Sequence, residues 1–133
     1  MTRPVIELSK QVTEARYFSF RRQGGRSRTP VDVIFGGREH CSPEYSINRK
    51  GFPVYLLEYV EEGSGELVLQ GEAHPLRRGS LYFYGPGMPC RILNNRERPL
   101  VKFFFAFQCR GRSLQRQYQL DRLQLYAPLR GGG

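Results

Sequence analysis

The chain has 133 residues, of which 39% are hydrophobic and 13% are aromatic, so it fits one domain with a modest core. Its formal net charge is +9, carried by 18 arginines and 3 lysines. No apolar run approaches the roughly 20 residues of a membrane-spanning helix, and the N-terminus MTRPVIELSK has no signal-peptide pattern. The three cysteines are widely spaced and odd in number, which argues against a disulfide framework. We therefore expect a cytoplasmic protein that makes no contact with a membrane.

Short segments of alternating apolar and polar residues recur along the chain. The segment ARYFSFR (15–21) is a possible first strand or arm, and a polar loop follows it. Further strands are predicted at VDVIF (31–35), YSIN (45–48), VYLLEYVE (54–61), ELVLQ (66–70), EAHPL (72–76), SLYFY (80–84), CRIL (90–93) and VKFFFAFQC (101–109). Glycine and proline turns such as EGSG and PGMP separate them. About eight short strands at even spacing indicate a sandwich or barrel.

A helix is predicted only near the C-terminus, at about 113–126. Ser113 is a possible N-cap, and Leu114, Tyr118, Asp121 and Leu125 fall on one rough face of such a helix. No repeat and no low-complexity tract precedes the terminal glycines.

Three segments, in this order, resemble the N-terminal effector-binding domain of AraC-family transcriptional regulators. GGREHCSPEYSINR (36–49) is similar to the first barrel segment of that family, and residues 52–92 are similar to its central hairpins. PLVKFFFAF (99–107) is similar to its closing strand. The resemblance implies a mainly β, cupin-like jelly-roll barrel (a double-stranded β-helix) at about 17–109, preceded by an N-terminal arm at 1–16.

The same resemblance implies a function. Such a domain binds a small effector, for example a sugar, forms a homodimer, and is not an enzyme. The helix-turn-helix DNA-binding domain of the family is absent from these 133 residues, so we expect DNA contact only through that absent domain. The alternatives are a small metal-dependent cupin enzyme and a stand-alone carbohydrate-binding barrel.

Six residues are candidates for ligand binding: Arg49, Glu58, Cys90, Ile92, Lys102 and Phe104. Arg49 matches a ligand-contacting arginine of the family, and a surface cation near a turn is the alternative. Lys102 and Phe104 share one face of the closing strand. Lys102 is either a pocket residue or an exposed base, and Phe104 is either ordinary core or a stacking surface. For Glu58 we expect a solvent-facing carboxylate, with an acceptor for ligand hydroxyls as the alternative.

Cys90 stands where the family usually has a histidine after its proline-glycine turn. A cupin metal site needs several imidazoles and a carboxylate, with His-x-His on the earlier hairpin. The stretch from Glu58 to His74 contains no such pair. We therefore expect no metal and no cofactor. If Cys90 and Ile92 point inward, they form an apolar wall of the ligand pocket.

Overall fold

The structure is a computed structural model that describes residues 12–19, 31–49, 54–109 and 125–128. All regular secondary structure in these ranges is β-strand. The ten strands are β1 (Val12–Ser19), β2 (Val31–Cys41), β3 (Ser46–Arg49), β4 (Tyr55–Glu62), β5 (Gly65–Leu69), β6 (Glu72–Leu76), β7 (Ser80–Tyr84), β8 (Cys90–Asn94), β9 (Val101–Cys109) and β10 (Leu125–Pro128). No helix in the described ranges is long and apolar enough to cross a membrane.

The strands form two antiparallel sheets. The larger sheet has the order β1-β2-β9-β4-β7-β10, and the smaller sheet has the order β3-β8-β5-β6. One continuous cluster of buried apolar side chains contains residues from both sheets, so the two sheets pack face to face around a shared interior. The predicted mainly β barrel is therefore confirmed.

Strand β9 shows how the sequence pattern decides which side chains enter this interior. Lys102, Phe104 and Ala106 are buried, whereas Phe103 and Phe105 on the opposite face are 40% and 48% exposed. Period-two alternation places successive side chains on opposite faces of a sheet. The predicted shared face of Lys102 and Phe104 is the inner one.

The outer face of the larger sheet is also rich in aromatic residues. Tyr55, Phe83 and Phe107 stack on one another with ring centroids 5.4–5.9 Å apart. Beside them, Phe105 lies across the sheet from Phe18, whose side chain is exposed. Strands with apolar residues on both faces differ from the usual antiparallel sheet, in which the outer face is polar.

Two boundaries differ from the sequence expectation. Strand β1 begins at Val12 and pairs with β2, so the last residues assigned to the arm lie in the sheet. The predicted helix is wrong at its C-terminal end, because residues 125–126 belong to β10, which pairs with β7. That pairing gives hydrogen-bond partners to the backbone groups along the edge of β7 that faces away from β4. A helix at these residues would leave that strand edge unpaired. The rest of the predicted helix, 113–124, lies outside the described residues.

Gly37 lets Tyr17 of β1 pack against the sheet. A Cβ atom at Gly37 would lie 2.3 Å from the carbonyl oxygen of Arg16 and 2.8 Å from the Tyr17 ring. We expect Gly37→Ala to push β1 outward and to lower the free energy of unfolding by about 1–3 kcal/mol. Urea unfolding measures this effect. Gly71→Asn is the control, because its Cβ position is open and asparagine tolerates the left-handed backbone at that turn. Equal losses in the two variants would contradict the packing argument.

Candidate ligand-binding site

A polar cluster lies inside the barrel, and we define it as Glu39, Tyr45, Glu58, Tyr82 and Lys102. Lys102 is only 1% exposed. Its Nζ donates hydrogen bonds to Glu58 Oε1 at 2.9 Å and to the Tyr45 hydroxyl at 2.6 Å. Glu39 Oε1 lies 3.9 Å from the same nitrogen. Two of the three N–H donors of the ammonium group are therefore hydrogen bonded, and Glu39 adds a longer ion pair.

Strand register brings these side chains together. Glu39 of β2 lies directly opposite Lys102 of β9. Glu58 of β4 lies opposite Phe104 of β9 on one side and opposite Tyr82 of β7 on the other, so it is diagonal to Lys102. Directly opposed and diagonal side chains on one face of a sheet are within reach of each other.

Two atoms of the polar cluster have no hydrogen-bond partner in the described part of the chain. They are Glu58 Oε2 and the Tyr82 hydroxyl, and both are buried. Leaving such a group unpaired costs about 1–3 kcal/mol. Because buried polar groups in native proteins are nearly always satisfied, these two atoms need hydrogen-bond partners that the described side chains do not supply.

The burial of the polar cluster shifts the pKa values of its members. Burial raises the pKa of Tyr82 well above its ordinary value, and the Glu58 carboxylate raises it further. Burial lowers the pKa of Lys102, but the attraction of Glu58 and the neighbouring tyrosines outweighs burial and leaves the pKa well above its ordinary value. Lys102 is therefore a protonated cation at neutral pH and not a free amine nucleophile. Burial also raises the pKa of the adjacent Cys41 thiol to about 12.

These shifts predict that the domain loses stability at alkaline pH. The folded state keeps the protons of Cys41, Tyr82 and Lys102 after the unfolded chain has lost them, and the ordinary pKa values are 9.0, 10.0 and 10.5. Each such group then lowers the free energy of unfolding by about 1.4 kcal/mol per pH unit above its unfolded pKa. We expect constant stability from pH 7 to about 9 and a steep fall above it. Guanidinium unfolding at each pH measures this fall, which should be shallower in Tyr82→Phe; a flat profile to pH 11 would contradict the burial of these groups.

Tyr17 connects the N-terminal strand to the polar cluster. Its hydroxyl donates a hydrogen bond to Glu39 Oε2 at 2.9 Å. Its ring meets Phe104 edge-on with centroids 5.8 Å apart, and Phe35 meets Phe104 in the same way at 5.6 Å. A change at Lys102 can therefore reach β1 through Glu39 and Tyr17.

The structure places the six sequence candidates as follows. The expectation that Glu58 faces solvent is wrong, because it is 3% exposed and paired with Lys102. Lys102 is inside the barrel, and Phe104 lies beside it. Cys90 and Ile92 are buried on the inner face of the smaller sheet. Arg49 ends β3, where its backbone pairs with Cys90, four positions from Tyr45.

Sequence reasoning did not select Glu39, Tyr45, Tyr17 or Tyr82 as candidates. A signal for Tyr82 existed in the strand pairing, because the register of β4 with β7 sets Glu58 opposite it. Glu39 also shares the inner face of β2 with Cys41 by simple alternation. No local signal marks Tyr45, which lies in the connection before β3.

No metal centre is formed by the described side chains. Within the described ranges, no three His, Cys, Asp or Glu residues are placed to share an ion. His40 Nε2 contacts Arg38 Nη1 at 2.8 Å, and His74 Nε2 lies 3.9 Å from Glu72. The absence of a metal remains a prediction.

Comparison with known proteins identifies the family. A family model described as the AraC-like ligand binding domain matches residues 33–129, well over half of the chain. The chain belongs to this family. The matched range of this AraC-like domain contains the whole polar cluster and all six sequence candidates. No curated protein sequence matches the domain.

Solved structures with low sequence identity share its fold. The protein plu4264 from Photorhabdus luminescens is 18% identical with a TM-score of 0.56, over 86% of this chain and 88% of that one. YhaK from Escherichia coli is 18% identical with a TM-score of 0.62, over 92% of this chain but only 54% of YhaK. Salicylate 1,2-dioxygenase from Pseudaminobacter salicylatoxidans is 13% identical with a TM-score of 0.52, over 85% of this chain and 29% of the enzyme. These similarities show the fold, a cupin-type barrel.

Proposed function

We propose that this AraC-like domain senses a small-molecule effector that binds at the polar cluster. The observation that carries the proposal is the pair of buried, unpaired atoms, Glu58 Oε2 and the Tyr82 hydroxyl. A ligand that satisfies both atoms binds the folded state alone and stabilises it.

The cost of this arrangement supports a functional role. A buried ion pair is often no more stabilising than apolar residues of the same volume. Packing alone therefore gives no reason for Glu58 and Lys102 to occupy the interior of a small barrel. In the proposed site Phe104, Cys90 and Ile92 form apolar walls. Arg49, at the end of β3, is proposed as a further ligand-binding residue.

Effector binding is proposed to act on the N-terminal strand. The path runs from Lys102 through Glu39 to the Tyr17 hydroxyl. An effector that changes the position of Lys102 alters the pairing of β1, and with it the population of two arrangements of the N-terminal region. A helix-turn-helix domain outside these residues reads the change. DNA is proposed to bind only through that domain, in the cytoplasm, with the +9 charge giving this chain weak, salt-sensitive affinity.

A homodimer is part of the proposal. Phe18, Phe103 and Phe105 are exposed near one another on the outer face of the larger sheet, and such groups of exposed apolar side chains mark interaction surfaces. Arg38 and Glu61 form an ion pair beside Phe103. Charges of both signs at the edge of this group of side chains are self-complementary about a two-fold axis, which favours a second copy as the partner. Sedimentation should show a dimer that Phe105→Ser weakens; an unchanged dimer would place the interface elsewhere.

We propose no enzymatic activity. The shared fold of salicylate 1,2-dioxygenase carries no argument for chemistry here, because one fold hosts many functions.

The regulatory function can be tested with a hybrid regulator. The 133-residue chain is fused to a DNA-binding domain that acts only as a dimer, and reporter expression is measured across growth on different carbon and nitrogen sources. We expect at least one condition to change expression in the wild-type fusion but not in a Glu58→Gln fusion of equal abundance. Expression that never differs between these two fusions would contradict the proposal.

A further inference from the structure

Donors and acceptors are unequally available in the polar cluster. Lys102 is already paired with both carboxylates of the polar cluster: its Nζ donates hydrogen bonds to Glu58 and Tyr45, and Glu39 Oε1 forms an ion pair with it at 3.9 Å. Two polar atoms have no hydrogen-bond partner in the described part of the chain: Glu58 Oε2, which is an acceptor, and the Tyr82 hydroxyl. A ligand carboxylate or phosphate would find no free cation among the side chains of the polar cluster and would face a carboxylate oxygen instead.

The formal charge of the polar cluster points the same way. Glu39 and Glu58 carry two formal negative charges and Lys102 carries one positive charge, which leaves a formal charge of −1 on a cluster in which the Glu58 side chain is buried and the Glu39 side chain is 14% exposed. An uncompensated buried charge is costly, and a hydrogen bond whose donor or acceptor is ionised is about twice as strong as one between neutral groups. A neutral hydroxyl can satisfy Glu58 Oε2, but only a cationic donor also balances the charge.

The aromatic rings around the polar cluster suit a cation as well. Lys102 Nζ already lies 4.8 Å from the centroid of the Tyr45 ring. Tyr82 and Tyr84 are stacked, fully buried rings on β7. Aromatic faces attract cations, and more strongly where water is excluded.

We infer that the effector carries a positively charged N–H group, such as an ammonium, that binds between Glu58 Oε2 and the Tyr82 hydroxyl. The inference rests on the proposed function, because it names the ligand class of the same site. In this site the lysine holds Glu58 in position and does not itself bind an anionic ligand.

The test uses two sets of matched probes. One set is isobutylammonium, isobutanol and isovalerate; the other is glucosamine, glucose and glucuronate. Melting temperatures of the 133-residue chain are measured at up to about 50 mM probe and constant ionic strength. We expect the ammonium members to raise the melting temperature by a few degrees and the carboxylates to leave it unchanged.

Three variants keep the test decisive. Glu58→Gln should abolish the ammonium response. Tyr82→Phe, which breaks no hydrogen bond formed in the described part of the chain, should reduce it. Glu66→Gln, on the exposed face of β5, should preserve it. If Glu58→Gln does not fold, Tyr82→Phe alone decides.

The outcomes separate the ligand class from the site. Stabilisation by glucose or a carboxylate probe that depends on Glu58 would overturn the cationic class and leave the proposed site intact. An ammonium response that survives both Glu58→Gln and Tyr82→Phe would show that the cation binds elsewhere and would overturn both. No probe-dependent change at all would indicate that buried water satisfies the two atoms, and the inference would be wrong.

Discussion

Replacing Lys102 with alanine is expected to lower the free energy of unfolding by about 3–5 kcal/mol, a large share of the stability of a domain this size. The substitution leaves the Glu58 carboxylate buried without its counter-ion and removes the hydrogen-bond donor to Tyr45. Urea unfolding at pH 7 measures the loss.

A double variant is the matched control. Lys102→Met with Glu58→Leu removes both charges while keeping similar side-chain volume, so it should recover most of the stability lost in Lys102→Ala. It should also lose the effector response. If the double variant is as unstable as Lys102→Ala, the stability loss comes from losing the ion pair itself and not from leaving the Glu58 charge unpaired.

The second large effect is expected for Phe104→Ala, also about 3–5 kcal/mol. Phe104 is 6% exposed and its ring meets Tyr17 and Phe35 edge-on, so its loss opens a cavity between β1, β2 and β9. Phe105→Ala is the control, because Phe105 is the next residue of β9 and is 48% exposed. Its loss should cost less than about 1 kcal/mol if the face remains solvated.

The ratio of the stability losses in Phe105→Ala and Phe104→Ala tests which face of β9 is buried. If Phe105→Ala costs as much as Phe104→Ala, the outer face is covered in solution, as a dimer through that face would require. Repeating the measurement over a roughly hundredfold range of protein concentration distinguishes the two cases, because only dimer dissociation depends on concentration.

The strand framework could be predicted because its signals are local. Alternation along β9 places Lys102 and Phe104 on one face without any knowledge of strand pairing, and glycine and proline turns bound the hairpins from β4 to β8. The prediction of a helix at residues 125–126 was wrong because the structure there depends on a distant part of the chain. Residues 125–126 pair with β7, about forty positions earlier, and no helical periodicity in a short segment can report such a pairing.

The candidate site could be predicted only in part, because its partners are distant in sequence. Glu58 in an apolar strand was expected to face solvent, since an isolated buried carboxylate is costly. It is buried because Lys102, 44 residues away, compensates it. Tyr45 is 57 residues from Lys102, and its role appears only when the loop before β3 is placed against β9.

The measurement that tests the central claim most directly can be made before the effector is identified. A broad metabolite library is screened for compounds that raise the melting temperature of the wild-type chain, and each hit is repeated on Glu58→Gln and Tyr82→Phe. If the buried polar cluster is the effector site, specific hits will lose most of their stabilisation in both variants and keep it in Glu66→Gln. Hits that stabilise all of these variants as strongly as the wild type would contradict the account.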